Sequence, residues 1–106
     1  MIVDDNQRIP TYLWVESKIR ELNNRGIGAY LLHRGEKMDG IVLVQTFDQG
    51  VYNLYRQQCH IDGTVKWVQA ISDDANIFAM NDYIAKQTDH DPDLWIIEIE
   101  SSIDVI

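Results

Sequence analysis

The sequence contains a single cysteine, Cys59, and no long apolar run. One thiol cannot form an intramolecular disulfide, which is typical of proteins kept in a reducing compartment. No apolar stretch approaches the roughly 20 residues that a membrane helix needs, so no membrane contact is expected. The first residues, MIVDDNQRIP, carry Asp4 and Asp5 where a secretory signal would be basic. We therefore expect a cytoplasmic protein.

Basic residues are scarce in the last third of the chain. Residues 1–70 contain eight acidic and eight basic side chains, whereas residues 71–106 contain nine acidic side chains and only Lys86 as a basic one. The net charge of −8 therefore belongs to this last part. Such a surface repels nucleic-acid phosphates and attracts basic proteins or cations. It predicts a basic protein partner and no nucleic acid, while a solvated acidic surface that keeps the protein soluble is the simpler interpretation.

The sequence also lacks the familiar catalytic and cofactor motifs. It has no P-loop, G-x-S-x-G, H-E-x-x-H or paired C-x-x-C, and the pair Gly26-x-Gly28 lacks the third glycine of a dinucleotide-binding motif. Cys59 adjoins His60, but neighbouring strand residues point to opposite faces, so we expect Cys59 to be buried and unreactive. No catalytic residue and no cofactor are predicted, and a non-enzymatic interaction protein is the favoured function.

The first predicted element is a helix from Thr11, as its N-cap, to about residue 25. Its apolar face recurs at helical spacing through Tyr12, Val15, Ile19 and Leu22. Gly26 is expected to end the helix in the left-handed conformation, with Leu22 meeting Ile27 as in a Schellman motif.

Four strands are predicted next, near residues 28–34, 41–47, 51–60 and 64–71. Gly50 marks one short hairpin, and Asp62-Gly63 is the favoured residue pair for a two-residue turn in the next. The apolar residues of the third strand change parity between Leu54 and Cys59, which predicts a bulge near Arg56 or Gln57.

A second helix and a final strand complete the predicted order. Ser72, Asp73, Asp74 and Asn76 are candidate caps of a helix that runs to about Gln87. Its inward residues are expected to be Ile77, Met80 and Ile84, with Phe78 as a further candidate. A strand over residues 94–100 would bury Trp95, Ile97 and Ile99. The order α-β-β-β-β-α-β predicts a single α+β domain, with two helices on one face of a mostly antiparallel four- to five-stranded sheet.

The acidic segment QTDHDPDLWIIEIE, residues 87–100, has the spacing of a calcium loop at first sight. Its alternate acidic positions are Asp89, Asp91 and Asp93. An EF-hand loop has glycine at its sixth position, where this segment has Leu94, and a strand here would hold Glu100 about 20 Å from Asp93. We predict a turn at Asp91-Pro92, capped by the Asp91 side chain, and no metal site.

The segment LLHRGEKMDGIV is the loop with the most varied chemistry. Arg34 could hold a carboxylate or phosphate with two hydrogen bonds, with His33 and Glu36 as acid-base groups. Trp67 or Trp95 would line a pocket beside them. This small-molecule-binding or catalytic site is the alternative to an interaction protein, and an ordinary charged hairpin loop is the structural interpretation.

Two further parts of the sequence are candidates for binding surfaces. Aromatic residues at strand positions could form a stacking platform for RNA, but the strand order and net charge argue against it, so we expect them in the core. These are Tyr30, Tyr52, Tyr55 and Trp67. The last strand carries Leu94 and Ile96 on its second face, and a homodimer is a further candidate that would cover them.

Several of these motifs together resemble one family. The segments LWVESKIRELNNRGIGAYLLHRGEKMDGIVLV and YIAKQTDHDPDLWIIEIE are similar to the alphaproteobacterial family known as domain of unknown function 1491. The resemblance rests on Trp14-Val15, Arg34-Gly35-Glu36, Trp67 and the closing motif Asp91 to Trp95. His33 and Glu36 stand where the family usually has arginine and aspartate. The resemblance implies a bacterial cytoplasmic protein with no assigned activity.

Overall fold

The computed structural model describes residues 9–71 and 76–106, which form two helices around one five-stranded sheet. The helices are α1 (Thr11–Asn24) and α2 (Ile77–His90). The strands are β1 (Ala29–His33), β2 (Val42–Asp48), β3 (Val51–Cys59), β4 (Val65–Gln69) and β5 (Trp95–Ile99), and a short 3-10 helix covers Ile103–Val105. The predicted α+β class and the order α-β-β-β-β-α-β are confirmed.

The last strand lies inside the sheet. The strand order is β1-β5-β2-β3-β4, so β1 and β4 are the edges. β5 pairs antiparallel with β1 and parallel with β2, and the remaining pairs are antiparallel. The sheet is therefore mixed but mostly antiparallel, as expected.

The two helices cover opposite faces of the sheet, so the expectation that both lie on one face is wrong. Alternate residues of β2 point to opposite faces, and Val42 and Val44 join the core cluster of α1, whereas Leu43 joins the cluster containing Met80 of α2. The strand β5 is buried on both faces in the same way. In the part of the chain that the structure describes, neither helix is long and apolar enough to span a membrane.

The end of α1 matches its prediction, but its beginning does not. The N–H of Ile27 donates to the Leu22 carbonyl oxygen (2.9 Å), and Gly26 has a φ of 80°, as in a Schellman motif. Pro10, not Thr11, is the N-cap residue. Tertiary contacts replace the side-chain cap, because the first helical N–H groups donate to backbone carbonyl oxygens of Lys37 and Met38.

The two predicted hairpins form, with one difference in loop length. Gln49 and Gly50, with φ values of 52° and 81°, make a two-residue turn between β2 and β3. The pair Asp62-Gly63 does not form such a turn. The loop is longer, since the His60 N–H donates to the Thr64 carbonyl oxygen and the Gly63 N–H donates back to the His60 carbonyl oxygen.

Strand β3 has no bulge near Arg56 or Gln57. It pairs without interruption with both β2 and β4, and the irregularity of the sheet lies in β1 instead, between Leu31 and His33. Cys59 is exposed, so the expectation of a buried thiol is also wrong. The alternation of buried residues along β3 needs no bulge, because Cys59 lies in the part of the strand that extends beyond the core and its side chain is exposed.

Helix α2 begins at a predicted cap and continues three residues beyond its predicted end. The Asn76 side chain accepts a 2.8 Å hydrogen bond from the Ala79 N–H. Ser72, Asp73 and Asp74, the other predicted caps, lie outside the described residues. Met80 is buried as expected, whereas Phe78 is 79% exposed and does not face the core.

Candidate functional site

The predicted binding loop, residues 34–41, is attached to the beginning of β5. Trp95 is fully buried, and its indole Nε1–H donates a 2.6 Å hydrogen bond to the Glu36 carbonyl oxygen. The Glu36 N–H donates to the carbonyl oxygen of Asp93 (2.9 Å), and the Trp95 N–H donates to that of Ile41 (2.8 Å). Two motifs that are far apart in the sequence thus form one hydrogen-bonded unit.

The glycines of the 34–41 loop allow this close approach. A Cβ atom at Gly35 would clash with the carbonyl oxygen of Asp93 and lie 2.6 Å from the carbonyl carbon of Leu94. A Cβ atom at Gly40 would lie 2.7 Å from the Trp95 ring. Both positions require glycine because backbone passes where a side chain would stand.

Glu36 stabilises the loop from within. Its carboxylate oxygen Oε2 accepts hydrogen bonds from the N–H groups of Met38 (2.8 Å) and Asp39 (2.6 Å). The carbonyl oxygens of Lys37 and Met38 in turn accept the hydrogen bonds from the first turn of α1. The carboxylate that was predicted as an acid-base group therefore holds the loop that caps α1.

His33 and Arg34 also contact the beginning of β5. His33 Nδ1 lies 2.7 Å from the carbonyl oxygen of Leu94. Since a carbonyl oxygen can only accept, that ring nitrogen carries the proton and donates it. The Arg34 guanidinium lies 5.4 Å from the centre of the Trp95 ring, in the range of a cation–π contact, and the residue is exposed.

Trp67 lies apart from the other four predicted site residues. It belongs to the edge strand β4, whereas His33 belongs to the opposite edge strand β1. Its ring is 5.9 Å from that of Trp14 on α1. The structure thus brings His33, Arg34, Glu36 and Trp95 together and places Trp67 against the first helix.

The aromatic residues considered as an RNA platform are divided between the two faces of the sheet. Tyr55 is paired with Val44, on the face covered by α1, and Tyr52 is paired with Phe47, on the face covered by α2. Tyr30 is 48% exposed, so the expectation that it lies in the core is wrong. Tyrosines that point in opposite directions cannot stack successive bases on one surface.

The acidic segment after α2 forms the predicted turn and straight strand. The side chain of Asp91 accepts a 3.1 Å hydrogen bond from the Asp93 N–H, and β5 then runs extended to Ile99. Within residues 9–71 and 76–106, no three His, Cys, Asp or Glu side chains lie close enough together to hold a metal ion. Glu100 instead accepts a 3.1 Å hydrogen bond from the Tyr30 hydroxyl, and this carboxylate raises the pKa of Tyr30.

The outer side of α2 is acidic and carries one large apolar residue. Phe78, Asp82 and Asp89 are exposed and are spaced by four and seven residues, which places them on one side of a helix. We call these three residues the acidic α2 surface. Lys86 forms a 3.1 Å ion pair with Asp82, and both side chains are largely exposed.

A cleft of about 550 Å³ lies beside the far end of the 34–41 loop. Its apolar walls come from the beginning of α1, the loop and the β3–β4 hairpin, through Ile9, Trp14, Met38, Ile41 and Val65. His60 also lines it, and its Nε2 atom is buried with no hydrogen-bond partner among the described residues. The sequence contained no signal for this cleft, because its walls meet only when the sheet forms.

The fold matches that of solved proteins from two bacteria. A crystal structure of a DUF1491 family protein from Caulobacter crescentus CB15 has a TM-score of 0.78 and 28% identity, over 89% of each chain. An NMR structure of a DUF1491 family protein from the same bacterium has a TM-score of 0.77 and 27% identity, over 92% of this chain and 90% of that chain. Protein Atu0922 from A. tumefaciens has a similar fold, with a TM-score of 0.72 and 20% identity over 91% of this chain and 88% of that one.

The sequence comparison gives the same result as the fold. No curated protein is significantly similar to this chain. The family model described as "Protein of unknown function (DUF1491)" matches residues 9–104, which include both the 34–41 loop and the closing aspartate-proline-aspartate-leucine-tryptophan motif. The chain therefore belongs to the DUF1491 family.

Proposed function

We propose that this protein is a non-enzymatic interaction module that binds a basic protein segment through the acidic α2 surface. The observation that carries the proposal is the position of Phe78, which is 79% exposed on the same side of the helix as Asp82 and Asp89. An exposed aromatic side chain with two carboxylates on the same side of its helix, one of them paired with Lys86, matches a partner that combines apolar and basic residues.

The charge layout supports a basic partner. The whole net charge of −8 lies in residues 71–106, which include α2 and the turn that follows it. Such a field accelerates the encounter with a basic partner and weakens as salt screens it. It opposes contact with phosphate backbones, so the proposed partner is a protein and not a nucleic acid.

Phe78 supplies the apolar part of the proposed interface. Burial of a phenylalanine side chain is worth roughly 1.5–3 kcal/mol relative to full exposure, and aromatic residues are frequent hot spots of interfaces. The carboxylates of Asp82 and Asp89 would then form the polar rim, where charged pairs add mainly to the rate and selectivity of binding.

The contacts of the 34–41 loop favour a non-enzymatic role. Glu36 and His33 both use polar side-chain atoms for hydrogen bonds to backbone groups. These bonds hold the loop, α1 and β5 together and compete with any acid-base role. A ligand site built on Arg34 and its neighbours stays a prediction. The reason given for a homodimer is wrong, because Leu94 and Ile96 are already buried beside Met80 of α2.

We place this interaction in the bacterial cytoplasm. The one thiol of the chain, Cys59, is exposed, and cytoplasmic reductants keep such a thiol from forming intermolecular disulfides.

Site-specific photocrosslinking in the source bacterium tests the proposed surface. Phe78→p-benzoylphenylalanine should yield one dominant crosslinked protein whose crosslinked peptide is rich in lysine and arginine. Leu13→p-benzoylphenylalanine is the matched control, because Leu13 is 44% exposed on α1, across the sheet from α2. The recovered partner is then purified, and its affinity for the unmodified chain is measured at low and high salt.

Three results would support the proposal together. The affinity should fall as salt rises, Phe78→Ser should weaken binding by about ten-fold or more, and Asp89→Lys should weaken it further at low salt. Asp104→Asn, an exposed acidic position on the 3-10 helix, should leave it unchanged. Equal crosslinking from positions 13 and 78 would contradict the proposal. So would an affinity that changes neither with salt nor with Phe78→Ser.

A further inference from the structure

The cleft beside the 34–41 loop has the size and lining of a small-molecule site. Its volume of about 550 Å³ lies in the usual range of roughly 300–1,000 Å³ for ligand pockets. Three elements enclose it: the beginning of α1, the loop before β2, and the β3–β4 hairpin. None of the residues of the acidic α2 surface lines it, so the two surfaces are separate.

The apolar part of the cleft comes from side chains that the core does not use. Met38, Ile41 and Val65 are 52%, 37% and 45% exposed, although each is large and apolar. They face the cleft together with Trp14, which is partly buried against the core of α1. Apolar groups gathered on a concave surface gain most by contact with an apolar ligand body.

The polar part of the cleft indicates the charge of the ligand. Asp39 and Asp62 line it, and the described residues that line it include no lysine or arginine. Asp62 already accepts hydrogen bonds from the Thr64 N–H (3.0 Å) and hydroxyl (2.7 Å), which lower its pKa and keep it ionised. Asp39 is exposed at the rim. Two carboxylates, with no lysine or arginine among the described residues of the lining, favour a cation over an anion.

His60 supplies a specific polar contact. Its Nε2 atom is buried without a hydrogen-bond partner in the described part of the chain. Buried polar atoms in folded proteins nearly always have a partner. Because Nε2 is shielded from the cleft, the His60 ring has to rotate before a ligand group can supply that partner. In the tautomer protonated at Nδ1, Nε2 accepts a hydrogen bond from an N–H donor.

We propose that this cleft binds a small amine with an apolar body, which packs between Trp14, Met38, Ile41 and Val65. The protonated amine lies near Asp39 and Asp62, and one N–H is donated to His60 Nε2 once the ring has rotated toward the cleft. The site is independent of the proposed protein interface on α2, and either can fail without the other.

Two probes of similar size and opposite charge test the proposal on the full chain. NMR spectra of the methyl groups and of the His60 ring are recorded with 2-phenylethylamine and with 3-phenylpropionate at millimolar concentration. The amine should shift the signals of Met38, Ile41, Val65 and His60 in a saturable manner, and should bind about ten-fold or more tightly than the carboxylate.

Variants identify the polar contacts. Asp39→Asn should weaken binding of the amine several-fold without affecting the fold, since the side chain is exposed. His60→Phe, which removes the acceptor, should do the same, and the methyl spectrum of the free variant reports whether the cleft is intact. Asp82→Asn on α2 removes an equal charge far from the cleft and should change nothing.

Three outcomes would overturn the proposal. One is the absence of any saturable shift with the amine, and the second is equal binding of the amine and the carboxylate. The third is a nuclear Overhauser contact from the methyl groups of Ile2 or Val3 to Trp14 or Met38, because the first residues of the chain would then be the occupant.

Discussion

The indole Nε1–H of Trp95 donates a 2.6 Å hydrogen bond to the backbone carbonyl oxygen of Glu36, 59 residues earlier in the chain. This bond joins the arginine-glycine-glutamate loop to the strand that follows the acidic turn. The same loop provides the carbonyl oxygens that cap α1. One contact thus connects the beginning of the first helix, the second strand and the last strand.

Replacement of Trp95 and of Trp67 by phenylalanine should have unequal effects on stability. Trp95→Phe removes the bond to Glu36 and leaves a cavity at a fully buried position, so we expect a loss of about 3 kcal/mol in the free energy of unfolding. Trp67→Phe, at the sheet edge beside Trp14, should cost about 1 kcal/mol. Urea unfolding followed by circular dichroism measures both, and equal losses would show that the Trp95 bond is not important.

Addition of a methyl group at Gly35 should destabilise the protein severely. The Cβ atom of Gly35→Ala would meet backbone of Asp93 and Leu94, which cannot move without disturbing β5, and we expect a loss of about 3 kcal/mol or more. Gly63→Asn is the control, because its surroundings are open and asparagine tolerates its φ of 89° better than most residues do. It should cost about 1 kcal/mol, because a side chain at this positive φ is strained even in open space. A mild effect of Gly35→Ala, measured by thermal unfolding, would contradict the close approach.

Thr11 and Asn76, both predicted as helix caps, should respond differently to alanine. Asn76→Ala removes the acceptor of the Ala79 N–H and should cost about 1 kcal/mol. Asn76→Asp should retain that stability, since a carboxylate also favours the helix N-terminus. Thr11→Ala removes only an exposed 3.2 Å bond from its hydroxyl to the Met38 carbonyl oxygen and should cost no more than about 0.5 kcal/mol. If urea unfolding showed a larger loss for Thr11→Ala than for Asn76→Ala, Thr11 would be the cap of α1 as first predicted.

The Tyr30–Glu100 pair should make stability fall at high pH. Glu100 accepts the Tyr30 hydrogen bond and raises the pKa of Tyr30 above its ordinary value. A raised pKa in the folded state means that the stabilisation is fully present below the pKa of the unfolded chain, about 10, and is lost as pH rises through the folded pKa.

This pH dependence can be measured directly. The pKa of Tyr30, followed by its Cζ chemical shift, should fall in Glu100→Gln. The difference in unfolding free energy between the unmodified chain and Tyr30→Phe should disappear at strongly alkaline pH. A Tyr30 pKa that does not respond to Glu100→Gln would rule out the carboxylate as the cause.

Local signals predicted most elements with small errors at their ends. The helical spacing of α1, the left-handed Gly26 and the Asn76 cap depend on residues close together in sequence, and each was confirmed. Predictions failed where a distant segment contributes. Thr11 is not a cap, because the carbonyl oxygens of Met38 and Lys37 accept the N–H groups of Thr11 and Tyr12. Cys59 is exposed because β3 extends beyond the core. The residues near Cys59 in the sequence do not indicate where the core ends.

The candidate site was only partly accessible from sequence. The varied chemistry of His33, Arg34 and Glu36 was visible, but His33 and Glu36 bind backbone groups. Arg34 contacts the ring of Trp95. Every residue has the same backbone groups, so the sequence does not show which side chains will bind them. Polar residues that stabilise a fold therefore cannot be distinguished by sequence from polar residues of an active site. The cleft beside His60 was invisible for the same reason, because three separate segments form it.

The amino-acid sequence by itself determined the α+β class, the order of the elements, the acidic final third and the membership of a family, because these depend on residue type and on spacing along the chain. The tertiary structure alone decided that β5 lies between β1 and β2, that the helices cover opposite faces, and that the Arg34-Gly35-Glu36 loop meets the closing motif at Trp95. Those features follow from burying both faces of β5 and from satisfying backbone hydrogen bonds between distant segments.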